Sequence, residues 1–302
     1  MSALRTLALA ACLLAIPVSA AATPLEEKGV TSGKVKLDPA MGYVLVSGSE
    51  RQFGTFIRVP DDEDRQRYEA DRLKAFEKAQ KRYRAELATW RSLVKAAQEA
   101  RTPPPEQPEE PRIETFAIDP IELRQVESFG PLFAYSKGST ISYLSAVKPG
   151  WWVWYGPIMV GPNGGAGNCY CMGTVKFEVK PGVVTDLGTS LADLPRWQED
   201  KDVARLELDR KNAERVAAGK PPLKTLGGGT PSYGAPASLS SWPVVKAELH
   251  ASPKMNNYYG VIISRVAPIP GVLGYHRDVI VDERTGKEVD SPTLVSLAKI
   301  KK

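Results

Sequence analysis

The sequence predicts a mainly β protein with an α insertion: an antiparallel β-sandwich carrying a long charged helix at about 61–101 and a shorter helix at about 199–218. Three observations lead there. The tetrapeptide Val-Lys-Pro-Gly occurs at 147–150 and again at 179–182, and each copy opens an apolar run that closes on a glycine, Gly156 and Gly188. Proline presets φ for the first corner of a tight turn and glycine supplies the positive φ that a type II turn wants at the second, so each copy reads strand, turn, strand. The 25 prolines and 25 glycines of the 302 residues favour a turn-rich β protein. Between 61 and 101 there is neither.

At the N-terminus, residues 1–22 carry Arg5, an apolar run from Leu7 to Ile16 and small residues at 18–22, the pattern of a secretory signal peptide. Cleavage after Ala20 or Ala22 removes Arg5 and Cys12, leaving two cysteines and a net charge one below the +5 of the whole chain. Leu9-Ala10-Ala11-Cys12 also fits the pattern at which bacterial lipoproteins are cut and acylated, so Cys12 is the alternative lipidation site. No later apolar run reaches the roughly 18 residues of a membrane-spanning helix. The expected location is periplasmic or secreted, or lipid-anchored at Cys12. A small, dispersed positive charge gives no case for nucleic acid.

The organisation expected is a sandwich from 23–60 and 113–196, interrupted by the helix and Pro-rich linker of 61–112. A second helical segment at 197–222 and a Gly/Pro-rich linker with a β-hairpin region at 223–302 follow. Gly42 to Ser47 and Thr55 to Val59 are the first strands. Further strands are expected at Phe116 to Ile118, Leu132 to Tyr135, Thr140 to Val147, Trp151 to Tyr155 and Gly173 to Val179, then at Tyr258 to Val266 and Asp278 to Val281.

From Asp61 to Arg101 the apolar residues Leu73, Phe76, Tyr83, Leu87, Trp90, Val94 and Ala97 fall 3 and 4 apart, one helical stripe. Asp61 to Asp64 suit the positive end of the helix dipole, and Glu63 with Arg67 and Glu77 with Lys81 are spaced as i,i+4 pairs. A helix near 60 Å at 1.5 Å per residue outruns one small sandwich. The stripe therefore calls for a partner, and Glu199 to Ala218 is the candidate.

Three groups could carry chemistry. Cys169, Cys171 and Met172 follow a glycine-rich loop at Gly161 to Asn168, which lacks the helix N-terminus of a phosphate site. The two thiols fill core, form a disulfide suited to an exported chain, or join Met172 in a soft-metal site. In a regular strand Cys169 and Cys171 would share a face with Val175, Phe177 and Val179, at the upper limit of disulfide separation. Trp151, Trp152, Trp154 and Tyr155 put aromatics on both faces of one strand, one face core and the other a platform that could stack on sugar rings. Catalytic signals are thin: His276 with Asp278 as a base and its orienter, and Ser145 with Lys148 at an acyl-transfer spacing that wants a helix where the segment reads as strand. No catalytic residue and no cofactor is assigned.

The runs Tyr143 to Gly156, Cys169 to Gly188 and Asn256 to Gly286, with the Lys-Pro-Gly turns, the Cys-Tyr-Cys-Met-Gly strand opening and Tyr275-His276-Arg277-Asp278, resemble a family of uncharacterised exported bacterial proteins. The β region of that family looks like the transthyretin-like or immunoglobulin-like sandwiches of bacterial lipoproteins. The resemblance covers about half of the mature chain and implies no activity. The expectation is a noncatalytic cell-envelope protein whose helical arm at 61–101 engages an envelope protein or a second copy. The alternatives are a glycan-binding module on Trp151 to Tyr155 and a copper or redox protein on Cys169 and Cys171.

Overall fold

The computed structural model describes residues 23–138, 140–161, 164–189, 191, 201–220, 222 and 233–296. The N-terminal segment with Cys12, residues 223–232 of the expected Gly/Pro-rich linker and the C-terminal lysines lie outside them. Along the chain come β1 (Thr23–Leu25), α1 (Glu27–Thr31), β2 (Gly42–Gly48), β3 (Gly54–Arg58) and α2 (Asp62–Ala100). Then follow β4 (Val126–Phe129), β5 (Ser136–Lys137), β6 (Ile141–Val147), β7 (Gly150–Gly156), β8 (Ile158–Gly161), β9 (Gly164–Cys169), β10 (Thr174–Val179) and β11 (Val184–Asp186). After α3 (Lys201–Ala217) the chain adds β12 (Val244–Lys246), β13 (His250–Ser252), β14 (Ile262–Ile263), β15 (Leu273–His276), β16 (Val279–Asp282) and β17 (Lys287–Glu288).

The protein is mainly β with a helical insertion, as the sequence predicts. One sheet runs β1-β6-β2-β11-β12 with β5 on the edge of β6, and a second runs β13-β10-β7-β3-β4. Both Val-Lys-Pro-Gly turns are corners between them. The first carries the chain from β6 to β7, and the second carries it back from β10 to β11. Gly182 at φ 70 fits the second corner of a type II turn and donates its N–H to Met41 at 2.7 Å. The sandwich is not purely antiparallel, because β11 lies parallel to both β2 and β12. Crossing from sheet to sheet between consecutive strands removes the hairpin constraint that would force antiparallel neighbours.

Alternation along the central strands sorts the core. Val44 and Val46 of β2, Phe56 of β3, Trp152 and Trp154 of β7 and Phe177 of β10 meet between the sheets. Their neighbours Tyr43 and Leu45 face outward, under a cover that includes Val30, Leu239 and Trp242. Ile57 and Tyr155 face out from the second sheet, beneath Ile158, Cys169, Cys171 and Tyr258. Covered on both faces, β2 is buried along its whole length and reads as a near-continuous apolar run.

Several expected boundaries change. Phe116 to Ile118 and Leu132 to Tyr135 are not strands, and the second sheet instead uses Val126–Phe129 as its edge. The glycine-rich 161–168 stretch is largely strand: β9 pairs with β8, and Gly164 to Gly167 lie within it. Two of its glycines are there for space: a Cβ on Gly167 would sit 2.1 Å from the Pro157 carbonyl oxygen and one on Gly165 2.9 Å from the Tyr259 side chain. The described residues from 244 on contribute to the sandwich. β12 and β13 supply an edge strand to each sheet, and Leu273 and Ile280 from the β15-β16-β17 sheet join the core between the sheets.

The long helix begins one residue after its expected start. Asp61 caps it, accepting from the Asp64 N–H at 2.8 Å while the Asp64 side chain accepts from the Asp61 N–H at 3.0 Å, the reciprocal box that satisfies two orphan donors. Arg101 ends it in the left-handed conformation, φ 54. Its 39 residues reach about 58 Å at 1.5 Å per residue.

Candidate functional site

Arg58 stands in the apolar strand β3 two residues before Pro60 and is 2% exposed. A guanidinium taken out of water needs its charge and donors met at once. Its Nη2 donates to Asp64 Oδ2 at 2.5 Å and to Gln125 Oε1 at 2.5 Å, and its Nη1 donates to Asp61 Oδ2 at 3.1 Å. Lys148, from the first Val-Lys-Pro-Gly turn, adds Nζ to Asp61 at 3.1 Å, Asp64 at 3.5 Å and Glu63 at 3.7 Å. Thus β3 and the β6–β7 corner grip the first turn of α2, while Gln125, the residue before β4, holds the Arg58 guanidinium in place. Burial raises the Asp61 pKa, but the Asp64 N–H and the Lys148 ammonium more than offset it and hold the carboxyl well below its usual range.

From that root the helix leaves the sandwich. From Phe76 to Trp90 its stripe is met, among the described residues, by the Pro-rich segment returning antiparallel along it rather than by α3, while Leu73 stays exposed. Trp90 Nε1 donates to the Pro105 carbonyl at 2.9 Å, Arg72 Nη1 to the Ile113 and Phe116 carbonyls at 2.8 and 3.1 Å, and the Phe76 and Phe116 rings meet edge-on at 5.4 Å. Arg124 closes the base, 2.6 Å from Asp71 and over the Tyr68 ring. The expected partner, Glu199 to Ala218, is held elsewhere: Arg215 and Lys220 pair with Glu50 in the β2–β3 turn at 2.7 and 3.0 Å. An extended proline segment can cover a stripe because its backbone needs no partner strand. Of the two expected i,i+4 pairs, Glu63 and Arg67 meet at 2.7 Å, and no Glu77–Lys81 pair forms among the described residues.

Cys169 and Cys171 form a disulfide, both fully buried. The strand geometry that made such a bridge long does not apply, because β9 ends at Cys169 and the chain turns through Tyr170 to Gly173, bringing the Cα atoms to 5.2 Å. The same turn breaks the expected alternation: the cysteines lie under the outer face of the second sheet, whereas Val175, Phe177 and Val179 face its core. With both sulfurs in the bridge, neither is a thiolate for a soft metal. Met172 is half-buried, and its N–H is spent on the Ser264 carbonyl at 3.0 Å. Among the described residues no cluster of three His, Cys, Asp or Glu has metal-site geometry.

The aromatic strand offers no open platform. Trp152, Trp154 and Tyr155 are each 2% exposed or less, Trp152 donating to the Lys148 carbonyl at 3.0 Å and Trp154 packed on Phe56 and Phe129. Tyr155 Oη donates to the Asn256 carbonyl at 2.9 Å and accepts from the Tyr258 N–H at 2.8 Å, and burial pushes its pKa up. Only Trp151 is partly open, edge-on to His250 at 5.0 Å with Lys176 Nζ 5.3 Å from its ring. Both faces of β7 are covered because both faces of its sheet are.

His276 ends β15 while Asp278 lies in the turn to β16 and pairs with Lys254 at 3.7 Å, so the two do not form a base and its orienter. Ser145 is in β6 and Lys148 belongs to the helix root. The root is the arrangement that motif reading missed. A lone arginine inside an apolar strand, a few residues before an acidic N-cap, was its visible signal. Compared with known proteins, the chain matches no family model, no curated protein and no solved structure.

Proposed function

We propose that this is a noncatalytic exported cell-envelope protein in which the sandwich is a scaffold and α2 with its proline-rich return is an arm for protein–protein interaction. The observation that carries the reading is the root: the buried Arg58–Asp64 pair, extended by the half-exposed Asp61 and Lys148, ties one end of a roughly 58 Å helix, at 1.5 Å per residue, to the double sheet. A buried ion pair is weak evidence for stability, so we read this one as fixing the direction of the helix, which is what a presenting arm needs. The signal-like N-terminus supports export, and a buried disulfide suits an oxidising compartment. Lipid attachment at Cys12 is the variant of this reading in which the scaffold is tethered.

The arm can be shortened without touching its root. Arg72 is bonded to the Ile113 carbonyl, so the two limbs of the arm lie within reach of one arginine side chain at this level and a Gly-Ser linker can replace Lys74 to Ile113. Proximity cross-linking of the full-length and shortened chains in intact cells should show partners that disappear on shortening. An unchanged set of cross-linked partners sinks the reading.

A further inference from the structure

The arm carries opposite charge on opposite sides. At about 100° of rotation per residue, the exposed Lys74, Lys78, Lys81, Arg84, Arg91 and Lys95 fall within roughly 140° of one another around α2, with Glu77 interspersed. None of the six makes an ion pair among the described residues. The proline-rich return lies on the other side, since it is held through Arg72, Phe76 and Trp90. That segment bears Glu106, Glu109, Glu110 and Glu114, with Arg112 among them, and all four glutamates are exposed and likewise without an ion pair among the described residues. Because Pro105 sits level with Trp90 and Ile113 with Arg72, the acidic strip spans nearly the same length of the arm as the basic one.

Resting on the reading of α2 and its return as an interaction arm, we infer that the partner is a second copy of this chain. The basic face of one arm docks along the acidic face of the next. The two surfaces differ, so the contact is heterologous and leaves a free basic face at one end and a free acidic face at the other, which lets the assembly extend. A flat anionic surface would engage the basic side alone and gives no role to a matching acidic strip of the same length. Exposed pairs are individually weak and are screened over about 10 Å at 0.1 M salt, so the association is salt-sensitive.

Sedimentation velocity of the purified full chain tests this at about 20 mM and about 300 mM salt, a range over which screening changes severalfold. One variant, K74E/K78E/K81E/R84E, makes both faces acidic; a second, E106K/E109K/E110K/E114K, makes both basic. Circular dichroism checks that each retains its helix. The wild type should form oligomers at low salt that fall to monomer at high salt. Each variant alone should stay monomeric, and an equal mixture of the two should associate again. A wild type that remains monomeric at low salt overturns the inference, even if its basic face binds anionic vesicles, and so does a mixture that fails to associate. If the wild type is monomeric yet shortening the arm still removes cross-linked partners, this inference alone falls. If neither self-association nor partners depend on the arm, the reading of the arm falls with it.

Discussion

Arg58 and Asp64 form an ion pair in which each side chain is only 2% exposed, and it joins the end of β3 to the first turn of α2. Neither charge has water to fall back on. Arg58→Met should therefore cost about 3–5 kcal/mol, the usual result of leaving one buried charge uncompensated. The double variant Arg58→Met/Asp64→Leu should recover part of that, because it removes both charges, although Asp61 keeps its other contacts. Urea midpoints of the four proteins would check this cycle, and a single variant as stable as wild type would contradict it.

Two carboxylates should respond to pH with opposite sign. The folded pKa of Asp61 lies below its ordinary 3.8, with burial opposed and outweighed by the Asp64 N–H and Lys148. Its contribution is present above the unfolded value and is lost as pH falls through the folded one. At Asp186 burial raises the pKa, although the N–H groups of Gly188 and Gly234 and the charge of Lys246 pull it back. Its fold prefers the proton, so stability is lost as pH rises from 3.8 through the raised value. Asp61→Asn should approach wild-type stability as pH falls, and Asp186→Asn should gain on wild type as pH rises through that window. Denaturation midpoints across a pH series would reveal parallel, pH-independent offsets if either assignment were wrong.

The Cys169–Cys171 bridge closes a very small ring, and the chain-entropy expression gives such a ring about 1.5–2 kcal/mol, against about 3 for a fifteen-residue loop. Cys169→Ala/Cys171→Ala should accordingly be destabilised but still fold. Thiol titration of the unfolded Cys12→Ser chain should find two thiols after reduction and none before. Two thiols without reductant would remove the bridge.

Tyr155 is wholly buried, and its hydroxyl serves both the Tyr258 N–H and the Asn256 carbonyl. Tyr155→Phe keeps the ring and removes the hydroxyl from both, leaving the Tyr258 N–H only its 3.0 Å bond to the Asn256 carbonyl, which should cost about 1 kcal/mol. Hydrogen exchange at the Tyr258 amide would locate the effect, and unchanged stability with unchanged protection there would show that the Asn256 carbonyl alone holds it.

Legibility followed local physics. The helix was readable to within a residue because its period, its acidic N-cap cluster and its lack of Gly and Pro are all encoded within it. Gly42 to Ser47 and Thr55 to Val59 were readable as apolar runs, and the sandwich as an architecture from the two proline-glycine corners. The cover of the helix was not, because an extended proline segment leaves no periodic trace. Nor were β12 and β13, each three residues long and each meaningful only through distant neighbours. The arm root was half visible: Asp61 and Asp64 stood out as a helix start, but Arg58, Gln125 and Lys148 come from three separate places in the chain. The side on which Trp152 and Trp154 lie was undecidable from alternation, since both faces of β7 are covered.

The edge strands β12 and β13 give the fold a timetable. They come from residues 244–252, yet β12 borders β11 in one sheet and β13 borders β10 in the other. Neither sheet gains its last strand until synthesis has passed residue 252, whereas α2 needs only neighbours in sequence and can form early. Synthesis therefore passes through a stage with a finished arm on an unfinished scaffold, in which β10 and β11 show unpaired edges to any other chain nearby. A chain cut short before Val244 would be held at that stage.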